Sequence, residues 1–390
     1  MVVAAEASGD VLGASLARAL RRRFGPDGVR FVGVGGAQLA GEGVASPFDI
    51  SSLSILGAVE GLLAWPRVRA RVADTAALAK REEPDIAVLI DSWGFTLRVA
   101  RALRRIDPSL PIVKYVGPQI FASRPGRART LARTVDHLLS INVLDAPYYD
   151  REGLPNTFVG NPALARDLSG ADPARLRAAT GIGPDAPILL VLPGSRRSEI
   201  ARVMPPFEDA AHQLKAQRPD LQIVVPVAPT VADLVKARMA AWPYSAHVAE
   251  GETLKFDAMK AATVALACSG TVTTELALAG CPMVVAYRID PISYPLIKLL
   301  MRAPYLTLFN LAAGELVAPE FIQGECNGPD LARAVAERLD DAGLRAGQVA
   351  AQNAALDKMG RGAPDPSERA ADVVVRLLET SLARKADLRP

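Results

Sequence analysis

The stretch ILLVLPGSRR, Ile188–Arg197, sets the reading of the whole chain, together with its counterpart VALACSGTVTTEL at Val264–Leu276. In each, an apolar run ends in a Gly/Ser turn that opens a helix. Such a run without polar alternation is the pattern of a strand in a parallel sheet covered on both faces. The turn is expected to leave backbone N–H groups unpaired at a helix N-terminus, where an anion binds. Two such turns in one domain point to a ligand carrying a diphosphate, and so to a nucleotide-sugar enzyme. VVAAEASGD, Val2–Asp10, repeats the arrangement at the start of the chain, with acidic residues in the turn.

Around these turns strand and helix patterns alternate. Val2–Ala5, Val29–Val34, Ile86–Ile90, Ile112–Val116, Leu138–Ile141 and Thr157–Val159 read as strands, with helices over Val11–Arg23, Thr75–Lys80 and Arg98–Arg105. A pause of Gly, Asn, Pro and Asp over Gly160–Pro173 marks a domain boundary. The pattern restarts with strands at Ile188–Leu192, Gln222–Val227, Ala246–Val248, Val264–Ala267 and Met283–Tyr287, and helices at Phe207–Gln217 and Ala232–Ala241. The alternation predicts an α/β protein with two parallel-sheet domains, residues 1–165 and 166–365, and a ligand crevice at the carboxyl ends of both sheets. Residues 366–390 form a tail, helical over Pro366–Ala383, expected to cross back or to be exchanged in a homodimer.

Bulk properties exclude several classes. The 390 residues are half hydrophobic, enough for two cores, and the net charge of +3 is too small to argue for nucleic acid. Charge is instead local: Arg98, Arg101, Arg104, Arg105, Lys114, Arg124, Arg127, Arg129 and Arg133 share their stretch with one acid, Asp107. Such a field attracts phosphate groups or an anionic membrane surface. Cys268, Cys281 and Cys326 have no CxxC spacing, so neither a zinc site nor a disulfide framework is expected, and a reducing cytoplasm fits. There is no signal-peptide pattern and no apolar run of ~20 residues to span a membrane. None of the three histidines sits in a turn signal, so a His-centred triad is not expected.

In the turn at Pro193–Arg197, Gly194 lets backbone approach a phosphate, Ser195 can cap the helix and Arg196 offers a multi-donor fork for phosphate oxygens. An ordinary turn with surface arginines would read the same. Ser269, Gly270 and Thr271 repeat the logic, with Glu275 placed to accept from ribose hydroxyls, unless Thr271 merely caps and Glu275 occupies the first turn. Asp91 ends the run Ile86–Ile90, where a carboxylate faces the crevice as a general base or else caps the next helix. Glu6, Ser8 and Asp10 occupy the first turn; Glu6 is the second catalytic candidate and Asp10 the expected cap. No Asp-x-Asp pair occurs. No metal or other cofactor is therefore expected, and arginine and helix N-termini would meet the charge on a leaving diphosphate.

ILGAVEGLLA, Ile55–Ala64, is followed by Trp65, Arg67, Arg69 and Arg71. Apolar residues including Leu62 and Leu63, an interfacial Trp and a basic flank suit a membrane surface. A core helix with a solvated basic end has the same pattern. Pro66 is expected to break a single long helix there, and Pro291–Leu311 is similarly apolar, with Lys298 and Arg302.

Together these segments resemble the lipid-A-disaccharide synthases, a bacterial family of inverting glycosyltransferases, in order and spacing from about Val2 to Ser381. The sharpest pieces are Glu6–Asp10, Phe31–Gly35, Ile90-Asp91, Leu192–Arg196, Ser269–Thr271 with Glu275-Leu276, Cys281–Val285 with Tyr287-Arg288, and Leu308–Glu315. The resemblance implies the GT-B fold, two Rossmann-like domains with UDP held mainly by the second. It implies transfer of 2,3-diacylglucosamine from its UDP derivative to 2,3-diacylglucosamine 1-phosphate, giving the β-1,6-linked disaccharide 1-phosphate of lipid A. It also implies a peripheral site of action on the cytoplasmic face of the bacterial inner membrane. Asp91 matches the family's essential acid, Arg196 and Asn310 match nucleotide-side positions, and Glu6 and Asp10 match the first-turn acids.

The chain departs from the family where Gly117–Arg124 replaces Ser-Pro-Ser-Val-Trp-Ala-Trp-Arg, so that two tryptophans become Phe121 and Ser123. Gly94 and Thr96 stand for a second Asp and an Asn, and Gly160-Asn161 for a Gly-His pair. These departures fall mainly on the acceptor side. Two other readings stay open on the residues alone. A nucleotide-sugar 2-epimerase shares the architecture but needs no apolar-basic stretch. A non-catalytic two-domain binding protein needs no acid aimed at the crevice.

Overall fold

The computed structural model describes residues 1–53, 65–118, 120, 126–290, 294–301 and 303–387. The chain divides into two compact units, Met1–Pro162 with Ala363–Pro390, and Ala163–Gly362. Each is built on a six-stranded sheet whose neighbouring strands all pair in parallel.

In the first unit the strands are β1 (Val2–Ala4), β2 (Gly33–Val34), β3 (Ala87–Ile90), β4 (Ile112–Tyr115), β5 (His137–Ser140) and β6 (Asn156–Phe158), in the order β2-β1-β3-β4-β5-β6. The second unit carries β7 (Ile188–Leu192), β8 (Gln222–Val227), β9 (His247–Glu250), β10 (Val264–Cys268), β11 (Met283–Tyr287) and β12 (Glu320–Ile322), in the order β12-β11-β10-β7-β8-β9. β1, β3, β7 and β10 are buried along their whole length, as their unbroken apolar runs require. Residues facing the two sides of each sheet fall into separate apolar clusters under the helices. The fold class expected from the alternation is the one observed.

Local differences have physical causes. The strand expected over Val29–Val34 shrinks to Gly33–Val34. Gly33 has φ +154°, and a Cβ on it would lie 1.7 Å from the Val2 carbonyl oxygen. The helix expected from Phe207 runs over Arg197–Gln217, through Pro205 and Pro206. Its stripe Ile200, Val203, Met204, Phe207, Ala210, Ala211 and Leu214 is fully buried, and that burial outweighs the N–H groups the two prolines lack. Pro66 is the second residue of helix Trp65–Glu82, where an N–H has no intrahelical acceptor anyway, and the expected break falls against residues 55–64, which lie outside the described residues. The tail helix Pro366–Asp387 packs on helix Ala7–Phe24 within the first unit. Ala370, Ala371, Val373 and Val374 are buried there, and Arg23 pairs with Asp372 at 2.6 Å and with Glu368 at 2.5 Å.

Candidate functional site

In the first unit the candidate acids gather at one rim. Ala4 of β1 pairs with Ile90 of β3, and Ile90 with Tyr115 of β4. The residues leaving those strand ends, Glu6 and Asp91, therefore share the carboxyl edge of the sheet. Glu6 is exposed and is the N-cap residue of helix Ala7–Phe24, without a side-chain cap bond. Asp91 does not cap the next helix: Ser92 is the N-cap residue of Trp93–Ile106. The Asp91 carboxylate has no hydrogen-bond or ion-pair partner among the described residues, and its half-buried position leaves it available to a ligand. Its backbone is unusual. Asp91 and Ser92 both lie in the left-handed region, at φ +46° and +42°, a conformation non-glycine residues rarely adopt.

Asp10 does not cap its own helix, of which it is the fourth residue. Its buried carboxylate accepts from the amides of Gly36 at 2.8 Å, Gln38 at 2.9 Å and Leu39 at 3.1 Å, and so caps helix Ala37–Gly41. A Cβ on Gly36 would come within 2.7 Å of that carboxylate, which explains a glycine there. Asp10 is thus tied to the β2 edge and not presented as a ligand. Ser8 is exposed in the first turn of helix Ala7–Phe24.

In the second unit β7 and β10 are neighbours, with Leu192 beside Ala267, so the turns after them lie side by side. The turn after β7 differs from the expected empty nest. Glu199 accepts from the Ser195 amide at 3.0 Å and the Arg196 amide at 3.2 Å, and its other oxygen takes the Arg196 guanidinium at 2.6 Å. Arg196, not Ser195, is the N-cap residue of helix Arg197–Gln217. Gly194 has φ +116°, and a Cβ on it would meet the Glu199 carboxylate at 2.7 Å. The chain's own acid therefore occupies the donors that the sequence left vacant. The Arg196 side chain remains 63% exposed, so its fork can still swing to a ligand.

After β10, Gly270 is the N-cap residue of helix Thr271–Leu278, so Thr271 does not cap it. Gly270 and Thr271 are exposed and Ser269 half-buried. Glu275 is buried and faces Lys255 at 3.0 Å and Arg166 at 3.5 Å, so its carboxylate is already neutralised. Asn310, expected beside the nucleotide, is completely buried. Its amide donates to Ala318 O at 2.9 Å and Glu320 Oε1 at 2.8 Å, and its oxygen accepts from Ala318 N at 3.0 Å. With every polar atom used internally, Asn310 fixes the turn after helix Leu308–Ala313 and offers no donor to a ligand.

Trp65, Arg67 and Arg69 are exposed at the start of helix Trp65–Glu82, and Arg98 stacks 4.4 Å over the Trp65 ring. Leu62 and Leu63 lie outside the described residues, as do Phe121 and Ser123. In helix Tyr294–Leu300, Leu299 is 81% exposed. No helix among the described residues is long and apolar enough to cross a membrane.

Comparison with known proteins decides between the readings that geometry leaves open. The family model for lipid-A-disaccharide synthetase matches residues 1–374. The chain belongs to the lipid-A-disaccharide synthetase family. A lipid-A-disaccharide synthase of Rhodospirillum centenum is 40% identical over 377 residues, covering 97% of this chain and 94% of the relative. The family is one of glycosyltransferases, and this chain is an enzyme of that class acting in lipid A disaccharide synthesis. Solved structures are similar in fold. A glycotransferase of kitacinnamycin aligns with a TM-score of 0.61 at 15% identity, over 96% of this chain and 97% of that one. A UDP-GlcNAc 2-epimerase of Methanocaldococcus jannaschii, in complex with UDP-GlcNAc and UDP, gives 0.58 at 13%, over 97% and 99%. A transferase and an epimerase fit equally well, so fold alone does not select the activity; the family membership does.

Two features of this family member escaped the reading of its sequence: the place of Glu199, and the burial of Lys114, which the sequence offered only as one basic residue of the Arg98–Arg133 stretch. Glu199 looked like an ordinary helix residue, although the spacing from Arg196 is that of a capping box. Lys114 interrupts the apolar strand Ile112–Tyr115, a lysine where a buried strand asks for an apolar residue, and that was the available signal.

Proposed function

We propose that the chain transfers 2,3-diacylglucosamine from UDP-2,3-diacylglucosamine to the 6-hydroxyl of 2,3-diacylglucosamine 1-phosphate, releasing UDP and forming the β-1,6 disaccharide 1-phosphate. The observation that carries the reading is an Asp91 carboxylate with no hydrogen-bond or ion-pair partner among the described residues, at the sheet rim of a member of the lipid-A-disaccharide synthetase family. An inverting displacement needs the acceptor hydroxyl deprotonated as it attacks the anomeric carbon from the face opposite UDP. Asp91 takes that proton, the new C–O bond forms, and the anomeric C–O bond to UDP breaks with its electron pair leaving on the diphosphate. Glu6, on the neighbouring strand end, is the second candidate. Arg196 turns from Glu199 to the diphosphate, and the exposed turn Ser269–Thr271 adds donors at a helix N-terminus. With no Asp-x-Asp pair in the sequence, these groups stabilise the leaving charge without a divalent cation.

Both substrates carry acyl chains, so the enzyme works from the cytoplasmic surface of the inner membrane. Exposed Trp65, Arg67 and Arg69, next to the apolar stretch with Leu62 and Leu63, are the proposed contact. Liposome flotation should show binding to anionic bilayers that falls as salt rises. The function itself is tested by mass analysis of the product made from the two purified lipids, with and without EDTA. A disaccharide 1-phosphate formed in EDTA supports the reading. Its absence, or conversion of the UDP-sugar alone, overturns it.

A further inference from the structure

Beneath the Asp91 turn lies a charged side chain that neither the fold nor the core requires. Lys114 is the third residue of β4, in register with Leu89 of β3 and Leu138 of β5. It is 2% exposed, in the middle of the sheet. Its Nζ donates to the Asp91 carbonyl oxygen and, at 2.8 Å, to Thr96 Oγ1. Thr96 Oγ1 in turn lies 2.7 Å from the same carbonyl and 3.0 Å from that of Ser92. The two carbonyls gripped in this way belong to the two consecutive residues in the left-handed region, Asp91 and Ser92. A backbone held there persists only where its surroundings fix it.

The charges facing Lys114 come from two strand ends: the carboxylates of Asp91 after the neighbouring β3 and of Glu6 after β1, one strand further on. Helix Trp93–Ile106 contributes the uncharged Thr96, and β5 contributes Leu138 in register. Burial pushes the Lys114 amine down to about 7, against the pull of the two carboxylates. An ammonium in this place opposes folding, and an apolar side chain of the same length would fill the space more favourably.

We propose that Lys114 is a positioning residue for the transfer: with Thr96 it clamps the Asp91–Ser92 backbone so that the Asp91 carboxylate is presented to the acceptor hydroxyl. The assignment rests on Asp91 being the base. It explains why a strained turn and a buried cation occur together, each being otherwise a cost.

The test compares Lys114→Met, Thr96→Val and Asp91→Asn in the full chain, with both lipid substrates. Misplacing a reacting group by about 1 Å costs on the order of 10²-fold in rate. Lys114→Met should therefore lose about that much in kcat, with KM for the UDP-sugar unchanged and a thermal midpoint equal to or above the parent's. Thr96→Val should lose less, in the same direction. The parent kcat should also fall as pH rises through about 7, where the ammonium is lost, and Lys114→Met should lack that limb. An unchanged kcat in a folded Lys114→Met overturns the inference. So does a collapsed thermal midpoint in Lys114→Met with a normal Thr96→Val, which would make the lysine structural. If Asp91→Asn is itself active, the reading of the base has failed, a result the lysine variants cannot mimic.

Discussion

The turns after β3 and β7 are built alike and used oppositely. Each follows a strand buried along its length and opens a long helix. After β7 the chain folds its own carboxylate, Glu199, into the turn, where two amides and a guanidinium hold it. After β3 the turn is held from below, by Lys114 and Thr96 on backbone carbonyls, and the carboxylate of Asp91 has no hydrogen-bond or ion-pair partner among the described residues. The first arrangement is a turn kept in shape by an internal anion. The second presents a reactive group at the expense of backbone strain and a buried cation. Under the proposed function, the difference would separate nucleotide binding in the second unit from proton transfer in the first.

The largest effect that can break this contrast lies at Asp91. Asp91→Asn keeps the shape and removes the base, and kcat should fall by roughly 10²–10⁴-fold. Normal turnover in Asp91→Asn with lost turnover in Glu6→Gln would exchange the two roles. Next comes Arg196→Ala, which should weaken UDP binding by about 1.5–3 kcal/mol, the range for hydrogen bonds to charged groups. Arg196→Lys should restore it only in part, lacking the planar fork. An unaltered UDP isotherm for Arg196→Ala would move the diphosphate elsewhere.

Asn310 sharpens the contrast differently, because it is buried and internally bonded. Asn310→Ala leaves the Ala318 N–H and carbonyl without their partners, removes one of the donors to Glu320, and should cost about 1–3 kcal/mol of stability. A denaturant midpoint equal to the parent's would show that the amide is not structural. The last effect is a pH slope. Lys114 holds its proton to about 7 in the folded chain and to about 10.5 when exposed, so between these values the unfolded state binds more protons. Its burial then disfavours folding most below about 7, and stability rises with pH across that window. Subtracting the Lys114→Met stability curve should leave this slope, and a flat difference would mean that the lysine is solvated.

Much of the fold was legible because parallel strands buried on both faces announce themselves as unbroken apolar runs: β7, β8 and β11 have the limits their sequence predicts. The helix through Pro205-Pro206 was not legible past the prolines, since only tertiary burial reveals that its apolar stripe continues. Helices Gly328–Asp340 and Ala342–Lys358, and the short edge strand β12, went unread, although Asn327-Gly328-Pro329 and Asp341 supply the cap residues that open the two helices. At the candidate site, the strand ends read from the sequence put Glu6, Asp91 and Arg196 at the sheet rims, where the structure has them. Partner choice was not legible: Asp10 reaches across to another helix, Glu199 fills a nest, and Asn310 turns inward, all of which depend on neighbours distant in sequence or on rotamers.

The division of labour between the two turns is tested most directly by a calorimetric UDP isotherm of Asp91→Asn, taken beside its turnover. The expected result is the parent's Kd with kcat lower by at least about 10²-fold. A Kd weakened in proportion to the lost turnover would contradict it, since the acid would then serve nucleotide binding and not the proton transfer.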